Sequence, residues 1–182
     1  MTVEVTYGND NLTPEEIIEE MKKINEKYPK DRTIEVEGYK INERDIYLAM
    51  LGERTKEEAI QWKLKSIKRG EAMKIISTRF DDVIPSKEEV EEHKEYITSI
   101  TSEISGDDLE IFLLTTGYSS YEEYVNAPET FVAAKHLLRD SNIYDRLLED
   151  EMNSNPNITN EQAKANTKSR LETLILQEID KQ

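Results

Sequence analysis

Cysteine is absent from the 182-residue chain, which also has only six glycines and five prolines. Without cysteine the chain has no disulfides, no thiol nucleophile and no thiolate metal ligand. No apolar run approaches the roughly 18 residues that a membrane-spanning helix needs, and residues 1–20 lack the basic start and apolar core of an export signal. We therefore expect a cytoplasmic protein without membrane contact that folds without disulfides, metal ions or cofactors.

Residues that carry enzyme chemistry are also scarce. Histidine occurs only at His93 and His136, and each has a single acidic residue four positions away, whereas a metal site needs three or four ligands. The chain lacks a P-loop, a paired-glycine dinucleotide turn and a nucleophile elbow. We therefore predict no catalytic residues. A magnesium-dependent nuclease built on carboxylates alone is the alternative, with Asp81, Asp82 and Glu88 as its candidate ligands.

The periodicity of the first part predicts strands and two helices, the second of which is a short helix capped by Asn42 and ended by Gly52. Polar and apolar residues alternate over 2–7, which is typical of a half-buried strand. The apolar spacing of Ile17, Ile18, Met21 and Ile24 predicts a helix that ends near Tyr28. Residues 33–37 and 39–41 alternate again, and Gly38 between them predicts a hairpin turn.

The second part is predicted to be almost entirely helical. A hydroxyl residue followed by Glu or Gln three positions later is a capping box, the start signal of a helix. It occurs at Thr13/Glu16, Thr55/Glu58, Ser86/Glu89, Ser119/Glu122 and Thr159/Gln162. From residue 55 we predict helices near 56–80, 87–104, 107–116, 120–126, 128–139, 141–152 and 160–180.

The expected fold class is α+β and predominantly α-helical, with a small β-strand and hairpin element near the N-terminus. We assign residues 1–54 to an N-terminal α+β part and 55–182 to an all-helical part, and the two together can still form one compact unit. An alternative boundary lies near 81–86, where a proline and two aspartates follow the long helix.

Charge is distributed unevenly in this acidic chain, whose net charge is −15. Residues 56–80 carry seven basic and three acidic side chains, so this helix has a net charge of +4. Residues 81–127 carry two basic and 13 acidic side chains, a net charge of −11. One basic helix therefore precedes a strongly acidic segment.

The basic helix has two faces at 100° per residue. Ile60, Leu64 and Ile67 share one face, while an aromatic ring and cations share the other. A tryptophan beside cations suits nucleic acid or an anionic protein surface. The candidate contact residues are Trp62, Lys63, Lys65, Lys68 and Arg69. In the alternative interpretation, Trp62 and Met73 pack into a second core layer while the lysine ammonium groups reach solvent.

The acidic segment is the other candidate surface. Its carboxylates can follow one another along a helix at spacings comparable to those of phosphates on a duplex, and so compete for a basic nucleic-acid channel. The candidate partner-binding residues are Asp81, Asp82, Glu88, Glu89, Glu91, Glu92, Glu95, Asp107, Asp108 and Glu110. In the alternative interpretation they form a solvated face that keeps the protein soluble.

Two further apolar patterns admit two interpretations each. Tyr118, Tyr121 and Tyr124 form a stripe that serves either as an interface or as packing between short helices. The last helix carries the apolar face of Leu171, Leu174, Ile175 and Ile179, which is buried in its own core or in a twin subunit. The oligomeric state therefore stays open.

The chain resembles the anti-CRISPR proteins of phages and mobile elements in low-GC Gram-positive bacteria. The resemblance lies in its length, its acidity, the absence of cysteine, its richness in Glu, Lys, Ile and Asn, and the stretch from Thr13 to Phe80. It implies a non-enzymatic inhibitor in the bacterial host cytoplasm. The partner so implied is the RNA-guided nuclease of a type II system, usually loaded with its guide RNA, whose DNA binding or cleavage the inhibitor blocks.

Two functional hypotheses follow. The first is an inhibitor that uses the acidic residues between 81 and 110 against the basic nucleic-acid channels of such a nuclease. The second is a module that contacts nucleic acid through the basic helix 56–80. Four candidate cations within a protein of net charge −15 predict only weak nucleic-acid binding at physiological salt.

Overall fold

The computed structural model describes residues 11–181, so the predicted strand over 2–7 lies outside the described residues. The elements in chain order are α1 (Pro14–Lys27), β1 (Thr33–Val36), β2 (Tyr39–Asn42), α2 (Glu43–Met50), α3 (Lys56–Ser77), α4 (Lys87–Thr101), α5 (Gly106–Thr116), α6 (Tyr121–Asn126), α7 (Pro128–Ser154) and α8 (Asn160–Ile179). The prediction of a mainly helical fold with a small β element near the N-terminus is confirmed.

The predicted hairpin is present. β1 and β2 pair antiparallel with Val36 opposite Tyr39, so that two residues form the turn. Glu37 and Gly38 both have positive φ, 52° and 82°. Two such residues are typical of a type I′ turn, whose twist matches that of paired strands. Asn42 then ends β2 and caps α2, because its side chain accepts a hydrogen bond from the Asp45 N–H.

Four of the five predicted capping boxes form, and they begin α1, α3, α4 and α8. The pairing of Ser119 with Glu122 was wrong by one residue. Ser120 is the N-cap of α6 and accepts from the Glu123 N–H. The Glu123 carboxylate in turn accepts from the amide and the hydroxyl of Ser119. Two adjacent serines precede this helix, and the third residue after the second one is also a glutamate.

The predicted division into helices 128–139 and 141–152 was also wrong, because α7 runs without interruption from Pro128 to Ser154. Asp140 and Ser141 are weak helix formers, but neither removes a backbone hydrogen bond as proline does. Ile143 and Leu147, just beyond this point, are fully buried. Their burial keeps the following turns in register with the preceding ones. α3 and α4, by contrast, each end three residues earlier than predicted.

The chain forms two compact units, each built from two separate stretches of sequence. Unit 1 contains residues 11–66 and 96–127, and unit 2 contains residues 67–95 and 128–181. α3 and α4 each supply residues to both units. The predicted boundary at residue 54 falls inside unit 1, and the alternative near 81–86 falls inside unit 2.

The core of unit 1 lies where α1 packs against α2 and α5. Its buried side chains are Ile17, Ile18, Met21, Leu48 and Ile111, with Ile24 partly buried beside them. These include the four apolar positions from which α1 was predicted. The face chosen by periodicity is therefore the buried face.

The core of unit 2 is formed by α7 and α8 together with the second half of α3. Its buried side chains are Ala72, Met73, Ile76, Val83, Ile143, Leu147, Leu171 and Ile175. Leu174 and Ile179 pack against this cluster. The apolar face of the last helix is therefore buried in the core of its own chain.

Candidate interaction surfaces

The first half of α4 presents an acidic face. Counting 100° per residue from Glu88, four glutamates fall within an arc of about 100°. They are Glu88, Glu91, Glu92 and Glu95. Val90, on roughly the opposite side of the helix, is 1% exposed. Its burial turns the glutamates outward: Glu91 is half-buried and the other three are exposed. We call these four residues the α4 acidic face.

Glu89 has a different role from its neighbours. Its carboxylate accepts a hydrogen bond from the Ser86 N–H at 2.7 Å, and its own N–H donates to the Ser86 hydroxyl at 3.2 Å. The Ser86 amide holds the pKa of Glu89 below its usual value. Glu89 therefore fixes the start of α4, which makes it a stabilising residue of the helix that presents the acidic face.

Two predicted acidic residues are neutralised by cations. Asp82 forms an ion pair with Arg146 at 3.3 Å, and Glu110 forms one with Lys22 at 2.5 Å. In the described part of the chain, the four glutamates of the α4 acidic face make no ion pair within 4 Å. Within the described residues, no cation therefore compensates the charges of this face.

The remaining acidic candidates lie elsewhere. Asp81 is exposed just after α3, in unit 2. Asp107 and Asp108 lie in the first turn of α5, in unit 1, where carboxylates favour the positive end of the helix dipole. The structure thus brings four of the ten predicted residues onto one helix face and assigns three of the ten to the other unit.

The cations of the basic helix have partners of their own. Lys63 pairs with Asp45 at 3.0 Å, and Arg69 pairs with Glu172 at 2.8 Å. Lys65 is exposed in unit 1, and Lys68 is half-buried in unit 2. The five predicted contact residues are therefore divided between the two units, and carboxylates neutralise the charges of Lys63 and Arg69.

Trp62 and Met73 have opposite environments, although both were expected on one face of α3. Met73 is 3% exposed in the core of unit 2, whereas Trp62 is 48% exposed. The guanidinium carbon of Arg54 and the ammonium nitrogen of Lys63 each lie 5.1 Å from the centre of the Trp62 ring. Both distances are within the range of a cation–π interaction.

A pocket of about 170 Å³ opens beside Trp62 in unit 1. Its walls come from α2, from the turn before α3, from the first turns of α3 and from Thr115 on α5. The lining residues are Asp45, Leu48, Ala49, Gly52, Arg54, Trp62, Lys63 and Thr115. We call this the Trp62 pocket. Sequence reasoning singled out Trp62 and Lys63 but missed Asp45 and Arg54, because only the packing of α2 beside α3 brings them together.

The tyrosine stripe is packed between helices of unit 1. The Phe112 and Tyr124 rings meet edge to face at 4.9 Å, and Tyr124 also contacts Tyr118 edge to face at 5.7 Å. The Tyr121 hydroxyl donates to the Thr98 carbonyl at 2.7 Å. Burial raises the pKa of Tyr124. These half-buried rings hold α6 against α4 and α5.

The acid and base candidates are spread along the chain. His93 is half-buried on α4, and His136 is exposed on α7. Within residues 11–181, no group of three or more His, Asp or Glu side chains is arranged to hold a metal ion. Asp81, Asp82 and Glu88, proposed above as a nuclease site, are each exposed.

Over residues 11–181, none of the helices has the length and apolar character needed to cross a membrane.

Comparison of the chain with protein-family models, with curated proteins and with solved structures found no match.

Proposed function

We propose that the protein is a non-enzymatic inhibitor that binds a basic nucleic-acid channel of its partner through the α4 acidic face. The observation that carries the proposal is the position of Glu88, Glu91, Glu92 and Glu95, which share one side of a helix whose opposite side is anchored by Val90. Their exposure and lack of ion pairs among the described residues support the same conclusion.

The spacing of these charges suits a channel that binds a nucleic-acid strand. With a rise of about 1.5 Å per residue, Glu88 and Glu95 are about 10 Å apart along the helix axis. One strand of a duplex carries a phosphate every 3.4 Å or so, which gives about three charges over that length. Four carboxylates on a rigid helix can therefore occupy the lysines and arginines that otherwise hold phosphates.

The resemblance to anti-CRISPR proteins supplies the candidate partner, a guide-loaded type II nuclease. Such an enzyme holds its heteroduplex and its displaced strand in positively charged channels. An acidic helix bound there would exclude target DNA. Complementary charge also speeds association, which suits an inhibitor that competes with DNA for an enzyme already present in the cell.

The test is inhibition of target-DNA cleavage by a guide-loaded type II nuclease. We expect the quadruple variant with Glu88, Glu91, Glu92 and Glu95 each changed to Gln to lose at least tenfold in potency. Glu89 is left unchanged, because its capping role would confuse loss of binding with loss of the helix. Raising salt from low to physiological concentration should weaken the wild type more than this variant.

A matched control variant changes the net charge by the same amount as the quadruple α4 variant. It replaces four exposed acidic residues of unit 2 that lie outside α4, namely Glu71, Asp145, Glu149 and Asp180, by their amides. We expect this control to inhibit like the wild type. Equal loss in both variants would assign the effect to overall charge, and full potency in the α4 variant would refute the proposed mechanism.

A further inference from the structure

The charges around the Trp62 pocket do not balance. The Asp45 carboxylate lies 3.0 Å from the ammonium nitrogen of Lys63 and 3.5 Å from Nη2 of Arg44. Arg54 also lines the pocket, whereas Arg44 does not, so one carboxylate stands beside two cations among the lining residues. The lining therefore carries a net charge of +1 within a protein of net charge −15.

Arg44 makes this imbalance significant. Its side chain is 7% exposed, and its Nε is buried without a hydrogen-bond partner within the described chain. The guanidinium group of arginine is positively charged, so Arg44 places a charge inside the protein. A buried cation needs close pairing to offset the loss of water, and a single contact at 3.5 Å is weak. Asp45 is therefore shared between a buried cation and a pocket cation.

Trp62 holds the other two cations at the pocket mouth. Arg54 and Lys63 lie against its ring, each at 5.1 Å. Within the described residues, Arg54 donates one further hydrogen bond, a long one from Nη1 to the Ala49 carbonyl at 3.5 Å, and it also interacts electrostatically with the Glu58 carboxylate. Its other guanidinium N–H groups can therefore donate to a ligand, and they do so in the planar fork that matches a carboxylate.

The volume of the pocket limits its ligand to a small chemical group. Pockets for drug-sized ligands measure roughly 300–1,000 Å³, whereas this one is about 170 Å³. A single side chain inserted from a partner suits that volume. Leu48 and Ala49 on the wall can cover its methylene groups, while the cations face its charged end.

We propose that the Trp62 pocket binds the carboxylate of an aspartate or glutamate side chain presented by a partner protein. Arg54 and Lys63 are the donors, and the Trp62 ring covers the apolar part of the side chain. A nucleic-acid strand fits less well, because a pocket of about 170 Å³ holds one group, whereas phosphates follow one another along a strand. This site belongs to unit 1 and is independent of the α4 acidic face.

The experiment uses the only tryptophan in the chain as its reporter. The full-length protein is titrated at constant ionic strength with the blocked tripeptide Gly-Glu-Gly, and Trp62 fluorescence and the indole N–H resonance are followed. We expect a saturable change with this peptide and none with Gly-Gln-Gly. Arg54→Gln should weaken the apparent affinity about tenfold, because it removes charged hydrogen bonds to the carboxylate.

Lys65→Gln is the matched control, since Lys65 is an exposed cation of the same helix that does not line the pocket. We expect it to bind like the wild type. Three results would overturn the proposal: equal responses to the two peptides, a response to a short oligothymidylate without one to Gly-Glu-Gly, and no saturable response to any of the three. Inhibition of target-DNA cleavage by the α4 variants is a separate measurement. The proposal for the Trp62 pocket and the proposal for the α4 acidic face can therefore fail independently.

Discussion

The guanidinium group of Arg44 lies against the α-carbon of Gly117, in the space that a Cβ atom would fill. A Cβ built on Gly117 would overlap with Nη1 of Arg44. Gly117 also has a φ of 81° and ends α5, where its N–H donates to the Leu113 carbonyl at 2.8 Å. Two independent constraints therefore require glycine here, one from the backbone and one from the buried cation.

We predict that Gly117→Ala lowers the free energy of unfolding by at least about 2 kcal/mol. The left-handed backbone alone costs a residue with a Cβ about 1–2 kcal/mol. Displacement of the buried Arg44 adds to that loss, because the guanidinium would leave its contact with Asp45. Urea denaturation followed by circular dichroism measures the change.

Gly38→Ala is the control for this prediction. Gly38 has nearly the same φ, 82°, but a Cβ there would meet no atom within 4 Å. It belongs to the same unit as Gly117. We expect Gly38→Ala to show the backbone penalty alone, so the difference between the two variants isolates the displacement of Arg44. Equal losses would contradict the role assigned to Arg44.

Features that depend on neighbouring residues could be predicted from the sequence. The turn at Gly38 and the capping boxes that begin α1, α3, α4 and α8 are determined within four residues, and they lie where the pattern placed them. The α4 acidic face follows the same logic, since helical periodicity and one buried valine define it. Local chemistry determines each of these features.

Features that depend on tertiary packing could not be predicted from the sequence. The break predicted near Asp140 is absent because burial of Ile143 and Leu147 outweighs the weak helix propensity of two residues. The Trp62 pocket joins side chains from α2, α3, α5 and a turn, so no spacing in the sequence indicates it. Likewise, the separation of Trp62 from Met73 into different units reflects tertiary contacts that a helical wheel does not contain.

The capping box of α4 predicts a pH-dependent stability. The Ser86 amide lowers the pKa of Glu89 in the folded state, so the ionised form favours folding. This stabilisation is present above the carboxyl pKa of the unfolded chain, near pH 4.3, and disappears as the pH falls through the lower folded value. We expect Glu89→Ala to lower the melting temperature at pH 7 and to have a smaller effect at pH 3.

Glu88→Ala is the comparison for that experiment. Glu88 lies in the same first turn but takes no part in the capping box. We expect a smaller loss of melting temperature at pH 7, since only its favourable interaction with the helix dipole is removed. Thermal denaturation at the two pH values measures both variants. An effect of Glu89→Ala that is the same at pH 3 and pH 7 would rule out the ionised cap as its cause.

The unbroken course of α7 predicts which of its side chains stabilise the folded state. Ile143 is fully buried in the core of unit 2, whereas Leu137 on the same helix is 59% exposed. We expect Ile143→Ala to cost about 2–5 kcal/mol, because it leaves a cavity, and Leu137→Ala to cost about 0.5 kcal/mol or less. Urea denaturation of both variants tests this. A large decrease in the free energy of unfolding for Leu137→Ala would show that α7 buries its other face.

The Arg69–Glu172 and Arg79–Glu178 ion pairs, which join α8 to residues of and after α3, should differ in how much they stabilise the fold. The Arg69–Glu172 pair has side chains that are 43% and 45% exposed, so water weakens it. Glu178 is only 6% exposed, and Lys181 and Arg79 both hold its pKa below the usual value. We expect Arg79→Met to lower the melting temperature more than Arg69→Met at pH 7.

The Arg79–Glu178 ion pair also predicts a pH-dependent stability. Ionised Glu178 stabilises the folded state above the unfolded carboxyl pKa, and this stabilisation is lost as the pH falls through the folded value. Without Arg79 the pKa of Glu178 rises toward its usual value, so the advantage of the wild type over Arg79→Met should shrink between pH 7 and pH 3. Arg170→Met, at an exposed position on the same helix, serves as the control and should show little change at either pH. If the gap between wild type and Arg79→Met stays constant over that range, loss of packing by the arginine stem, rather than of its charge, explains the effect.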